Sequence, residues 1–217
     1  MFTDQKGIIV FFYVDDIAIL YTQNRTQDAH ILVSKLKKRY EMKDLGQLNW
    51  FIGVRIIRDR PNRRLWLSQD SYIEKMAITY GLRTPKPPHN PLSESARLEP
   101  YDGKATLADI RSYQAKIGSI NYSALSLRPD IAKAGSLLAS FMLNPAPAHH
   151  AAADQVIAYL YDTRHYAIMY DGEHKEKMEV QRGPPVVDIF ADAAFANNSD
   201  RRSAHEYTIK LFEGLIN

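Results

Sequence analysis

Asp15 and Asp16 are adjacent carboxylates set between two apolar runs, Ile8 to Val14 and Ile17 to Tyr21. Neighbouring carboxylates repel, and burial disfavours their ionised forms, so a bare pair between buried strands costs stability. A divalent cation reverses that cost. Carboxylate oxygens suit magnesium, which keeps several waters and takes the rest of its shell from substrate phosphates. Two such ions about 3.5–4 Å apart can activate an attacking hydroxyl and stabilise the leaving oxygen of a phosphoryl transfer. A tight turn helps, because strict strand alternation throws adjacent side chains to opposite faces. The same two residues are also, and more often, an ordinary polar turn between strands.

The flanking runs are β-branched and aromatic, and they read as a β-hairpin that presents the pair at its tip. Asn24 or Thr26 can cap a following helix with Ile31, Leu32 and Leu36 at helical spacing and lysines on the other side. Gly46 closes this unit. Leu48 to Ile57 reads as another strand, Asp59-Arg60-Pro61-Asn62 as a turn and Leu65-Trp66-Leu67 as the returning strand. Ser68 caps a short helix through Tyr80, which Gly81 stops. Pro85, Pro87, Pro88, Pro91 and Pro100 then make an extended connector, since proline cannot occupy a helix interior. Three helices follow: Leu107 to Leu125, one opened by Pro129 and running to Met142, and Ala148 to Tyr161. Tyr166 to Tyr170 and Val186 to Phe190 read as strands, and Tyr207 to Phe212 as the hairpin partner of the latter. A turn at Asp171-Gly172, a charged segment through Lys177 and Gly183-Pro184-Pro185 lie between the first two. The domain reading is residues 1–82, a connector at 83–105, a helical part at 106–165 and a β segment at 166–217. The class is α+β.

Charge is uneven. The net charge is +3, which alone is too weak to argue for nucleic acid. Between residues 35 and 64, however, stand ten basic residues: Lys35, Lys37, Lys38, Arg39, Lys43, Arg55, Arg58, Arg60, Arg63 and Arg64. Only Glu41, Asp44 and Asp59 oppose them. Phosphate neutralisation requires such a concentration, although on composition alone a solvated helix face and a charged hairpin tip are the preferred account. The chain has no cysteine, which excludes disulfides and thiolate zinc sites. No apolar run reaches the roughly 18 residues of a membrane span, and Met1 to Gly7 lacks the order of a signal peptide. The expectation is an intracellular protein of cytoplasm or nucleus without membrane association. His149-His150 has the look of a metal pair, but adjacent helical residues diverge and no third ligand stands near, so no metal is assigned there.

Phe12-Tyr13-Val14-Asp15-Asp16-Ile17 resembles the YxDD box of reverse transcriptases. Tyr40-Glu41-Met42-Lys43-Asp44-Leu45-Gly46-Gln47-Leu48-Asn49-Trp50-Phe51-Ile52-Gly53-Val54 resembles the "MKDLG–L–FLG" run of Ty1/copia retrotransposons. Leu67-Ser68-Gln69-Asp70-Ser71-Tyr72-Ile73 is similar to their "LSQ–Y" segment, and Tyr113 to Tyr122 to "YR–LVGSL–YL". Arg128-Pro129-Asp130-Ile131 matches "RPDI". Phe190 to Ala196 and then Asp200-Arg201-Arg202-Ser203 resemble "YSDADWA" and "RRS". These segments occur in the family's order over nearly the whole chain.

The resemblance implies the second part of a reverse transcriptase palm, a helical thumb and connection, and the start of an RNase H-like domain. Asp15 and Asp16 take the positions of palm carboxylates that hold two Mg2+ (or Mn2+) ions. Tyr13 falls near the primer terminus, and Phe51 and Gly53 in the hairpin that grips the primer strand. Lys35, Lys38, Arg63 and Arg64 are the residues expected to meet nucleic acid, and Asp192 takes the place of the first RNase H metal ligand. The implied partners are an RNA template–DNA primer duplex and a deoxynucleoside triphosphate. The family's third palm carboxylate belongs upstream, where only Met1 to Phe12 stand. Its later RNase H acids belong beyond Asn217, and the second aspartate of "DAD" is Ala194 here. The expectation is a fragment without DNA synthesis of its own, lacking an N-terminal polymerase half. The alternative is a non-catalytic nucleic-acid-binding or relic domain. Arg128 and Asp130 are expected to pair or to cap a helix start rather than to touch nucleic acid, and Trp50 and Phe51 suit a core as well as a grip.

Overall fold

A computed structural model describes residues 1–3, 7–82, 86–93, 98–172, 187–195 and 203–216. The expected features Gly183-Pro184-Pro185, Asp200-Arg201-Arg202 and the charged segment through Lys177 fall outside the described residues. The chain forms two compact units, Met1–Ile56 and Ile57–Asn217.

The first unit holds a three-stranded antiparallel sheet of β1 (Phe2–Thr3), β2 (Ile8–Tyr13) and β3 (Asp16–Tyr21), with β2 central. The register pairs Ile8 with Tyr21 and closes at Tyr13 with Asp16. A 3₁₀ turn at Gln23–Arg25 leads into α1 (Thr26–Arg39). Neither expected cap acts on α1: Thr26 donates its hydroxyl to the Gln23 carbonyl, and Thr22 to Asn24. Helix α1 lies against β3, and the buried residues of the two elements are Ala29 and Ala18, small enough for close backbone approach.

The expected strand from Leu48 to Ile57 is broken. It is a hairpin of β4 (Trp50–Phe51) and β5 (Val54–Asp59) around Ile52-Gly53. Both turn residues have positive φ, 52° and 75°, the requirement of a two-residue type I′ turn. Gly53 meets it freely. Ile52, a β-branched residue, is strained there, which is why its type reads as strand.

In the second unit β6 (Arg64–Ser68) pairs antiparallel with β7 (Ile168–Asp171). Between them come α2 (Asp70–Tyr80), α3 (Leu107–Ser126), α4 (Ala132–Ala139) and α5 (Pro147–Asp162). The expected helix from Pro129 to Met142 is a 3₁₀ turn, Pro129–Ile131, followed by the shorter α4. Gly81 ends α2 as expected, at φ 68°, its N–H reaching the Ala77 and Ile78 carbonyls. Thr106 and Asp109 form a reciprocal capping box at the start of α3.

The core of this unit is read from helical spacing: Ile73, Met76 and Ala77; Tyr113, Ile117, Ile120 and Ala124; Ala153, Val156, Ile157 and Leu160. Tyr113 is fully buried and donates its hydroxyl to the Leu138 carbonyl at 2.9 Å. Burial pushes its phenol well above the ordinary range. A second antiparallel sheet contains β8 (Val187–Ala194), β9 (Ala204–Leu211) and β10 (Gly214–Ile216), with β9 central. The Tyr170 ring occupies the space that a Cβ on Gly214 would need, and its hydroxyl donates to the Leu215 carbonyl at 2.7 Å. Antiparallel sheets with separate helices give the α+β class anticipated from sequence.

Arg128 is the largest fully buried side chain, 2% exposed. Its Nε and one terminal nitrogen donate to the two Asp130 oxygens at 2.8 and 2.7 Å, and the guanidinium also donates to the Thr163 carbonyl and hydroxyl. The anticipated Arg128–Asp130 pair is therefore present, and it also ties the chain before α4 to the end of α5. Breaking a buried pair by deleting one partner typically costs several kcal/mol. Arg128→Ala should lower the urea-unfolding free energy of the helical unit by about 3 kcal/mol; a loss below about 1 kcal/mol would show that the network is dispensable.

Candidate metal site and nucleic-acid interface

The tip of the β2–β3 hairpin carries Tyr13, Val14, Asp15 and Asp16. Tyr13 and Asp16 are cross-strand partners, so they share a face of the sheet. Val14 and Asp15 form the two-residue turn. Val14 has φ 49°, a left-handed conformation that costs an L-residue roughly 1–2 kcal/mol. Asp15 sits in the turn rather than in the ladder, so strand alternation does not force it away from Asp16. Tyr13 and Val14 are 53% and 87% exposed, and both aspartates are exposed. Burial therefore does not destabilise the pair, contrary to the sequence expectation. The apolar flanks read as buried strands, but Phe12 is itself 50% exposed. The donor chemistry fits a hard divalent cation. Among the described residues, no group of three or more His, Cys, Asp or Glu side chains is gathered for one.

The expected primer-gripping residues lie on the β4–β5 hairpin. Phe51 is half-buried and Gly53 exposed. Trp50 is 46% exposed, with the Arg55 guanidinium 4.7 Å from its ring centroid. Neither aromatic belongs to the described core. Lys35 and Lys38 project from α1 and are exposed, while Lys37 pairs with Asp44 at 3.0 Å. Asp44 also accepts the Gly46 N–H, and these hydrogen bonds with the lysine charge hold its carboxyl below the usual range.

In the second unit Arg63 is exposed and adopts φ 54°. Its carbonyl accepts the Gly172 N–H at 2.9 Å, which ties the residue before β6 to the residue after β7. Arg64 is partly buried and pairs with Asp171 at 3.4 Å. Asp192 lies exposed on β8 and accepts the Ala193 N–H at 2.9 Å. Directly across the ladder is Glu206, which the sequence reading passed over. Registering the expected hairpin at Ile189 with Ile209 would have placed it there. Like charges in that position repel.

The chain is 29% identical to a retrovirus-related Pol polyprotein of transposon TNT 1-94 from Nicotiana tabacum, over 98% of this chain and 16% of the relative. It is 33% identical to a transposon Ty5-1 protein of Saccharomyces cerevisiae, over 77% of this chain and 53% of the relative. It is 33% identical to a retrovirus-related Pol polyprotein of transposon RE1 from Arabidopsis thaliana, over 77% and 11%. The chain thus spans about half or less of these relatives. No protein-family profile matches it, and no solved structure does.

The adjacent histidines have separate structural roles. His149 is 1% exposed and stacks on Phe141 at 3.9 Å. Its Nδ1 accepts the Ala146 N–H at 2.9 Å, which makes Nε2 the donor to the Glu99 carbonyl at 3.0 Å. That arrangement needs the neutral ring. Burial lowers the pKa of both His149 and His150 from the ordinary 6.5. A histidine depressed in the folded state contributes stability that is complete above its unfolded pKa and is lost as pH falls through the folded value. The urea midpoint of the helical unit should therefore fall between about pH 7 and about pH 5, and less so in His149→Gln. A midpoint flat over that interval would contradict this account.

Proposed function

Because the chain is homologous over most of its length to Ty1/copia-type retrotransposon Pol polyproteins, we propose that it is a reverse transcriptase region of such a polyprotein. In this reading residues 1–82 are the later part of the palm with the primer-gripping hairpin and the first thumb helix. Residues 83–165 are connector, thumb and connection, and residues 166–217 open an RNase H-like domain. The observation that carries the reading is Asp15-Asp16, exposed at a strained two-residue turn between β2 and β3.

Bound there, two magnesium or manganese ions would supply charge neutralisation for attack of a primer 3′-hydroxyl on the α-phosphate of a deoxynucleoside triphosphate, the α–β anhydride bond breaking to release pyrophosphate. Asp15 and Asp16 would hold them. Tyr13, which shares a sheet face with Asp16, would contact the primer end. Phe51 and Gly53 would meet the primer strand, and Lys35, Lys38 and Arg63 its phosphates or those of the RNA template. Arg64 has a weaker claim, since its guanidinium already serves Asp171. Asp192 would be the first metal ligand of the RNase H-like part.

Two carboxylates do not complete a polymerase site, and coupled catalytic groups lose far more than their share when one is missing. The isolated 217-residue chain should bind an RNA–DNA hybrid, with affinity falling steeply as salt rises. It should add no nucleotide to a primer on an RNA template with magnesium or manganese. Template-dependent extension would refute the inactivity, and absent or salt-insensitive hybrid binding would refute the nucleic-acid reading.

A further inference from the structure

Trp50 is a large indole left 46% exposed beside a tight turn, although Arg55 lies across its ring at 4.7 Å. The turn is stiff: Ile52 and Gly53 both hold positive φ, and the ladder continues below it with the Ile56 N–H on the Asn49 carbonyl at 2.8 Å. Nothing lies within 4 Å of the space beside Gly53, so the tip is open. The hairpin thus presents a half-exposed indole with a cation already ordered against it. A second pair of the same kind is near in sequence: Arg39 stands 5.7 Å from the Tyr40 ring, and Tyr40 is 54% exposed.

The charge of the first unit decides between occupants. Six basic residues against two acidic ones lie between residues 35 and 56, a stretch that includes both pairs. An apolar protein surface has no use for that excess. A nucleic acid uses both parts, since bases stack on aromatic faces and phosphates meet the cations. Duplex backbone binding needs the lysines and arginines alone and leaves an exposed indole unexplained. Stacking needs a base whose face is free.

We propose that Trp50, with Arg55 ordered against it, is a stacking platform for an unpaired nucleobase. This rests on the nucleic-acid reading above and adds a residue and a preference to it. The chain therefore favours single strands and overhangs over blunt duplexes of equal length.

The test uses the full chain with a 12-nucleotide oligothymidine and a blunt 12-base-pair RNA–DNA hybrid. Stacking on one base is worth about 1–3 kcal/mol, so Trp50→Ala should weaken oligothymidine binding roughly tenfold or more. Hybrid binding should change less than about threefold, because phosphate contacts dominate it. Trp50→Tyr keeps a stacking ring and should bind oligothymidine within about threefold of the unaltered chain. The protein has two tryptophans, so Trp50→Tyr leaves Trp66 alone. Fluorescence quenching on oligothymidine binding should occur in the unaltered chain and disappear in Trp50→Tyr while binding persists. Thermal melting of each variant checks folding, and the quenching result stands even if Trp50→Ala misfolds. Equal loss on both probes, or no quenching, overturns the stacking proposal while the nucleic-acid reading survives. Failure of the unaltered chain to bind either probe overturns both.

Discussion

A guanidinium with 2% exposure cannot remain charged inside a helical layer unless its surroundings neutralise it. Arg128 is met by a bidentate carboxylate, a carbonyl and a hydroxyl. Those partners come from the 3₁₀ turn before α4 and from the residue following α5. Asp130 is itself held by the Tyr159 hydroxyl at 3.0 Å. The apolar seams of α2 to α5 supply most of the favourable burial, but greasy surfaces slide. A shift of either the turn before α4 or the end of α5 would take these acceptors from the buried Arg128 guanidinium.

Among the described residues of the first unit, the buried apolar ones are Ile8, Ala18 and Ala29, two of them alanines. Phe2, Phe12, Tyr13, Val14, Tyr40, Leu45 and Trp50 remain substantially exposed there. The carboxylate pair thus stands on the part of the molecule with the smaller core, and its turn carries a strained valine. Strain persists only where surrounding structure over-determines it. Here the six-residue register from Ile8–Tyr21 to Tyr13–Asp16 does that work.

Much of this was legible beforehand. Periodicity located the helices whose buried faces recur at Tyr113, Ile117, Ile120 and Ala124, and Gly81 marked a real stop. Arg128-Pro129-Asp130 announced its own ion pair. The split at Ile52-Gly53 was not legible, because isoleucine belongs to strands and only the backbone reveals that it turns. The exposure of Asp15 and Asp16 was hidden for another reason. Apolar flanks predict strands, but whether anything covers them depends on the rest of the fold. Glu206 escaped because its proximity to Asp192 is a matter of register across two strands, not of spacing along the chain.

The contact of Tyr170 with Gly214 has a consequence for how the second unit responds to change. The C-terminal sheet meets β7 where the Tyr170 ring lies in the one volume glycine leaves empty, with the Asp171 N–H on the Phe212 carbonyl at 3.0 Å beside it. A methyl group at position 214 would meet the ring, so either the ring or β10 must shift, and the packing that joins the sheet to β7 would loosen there before it loosened elsewhere.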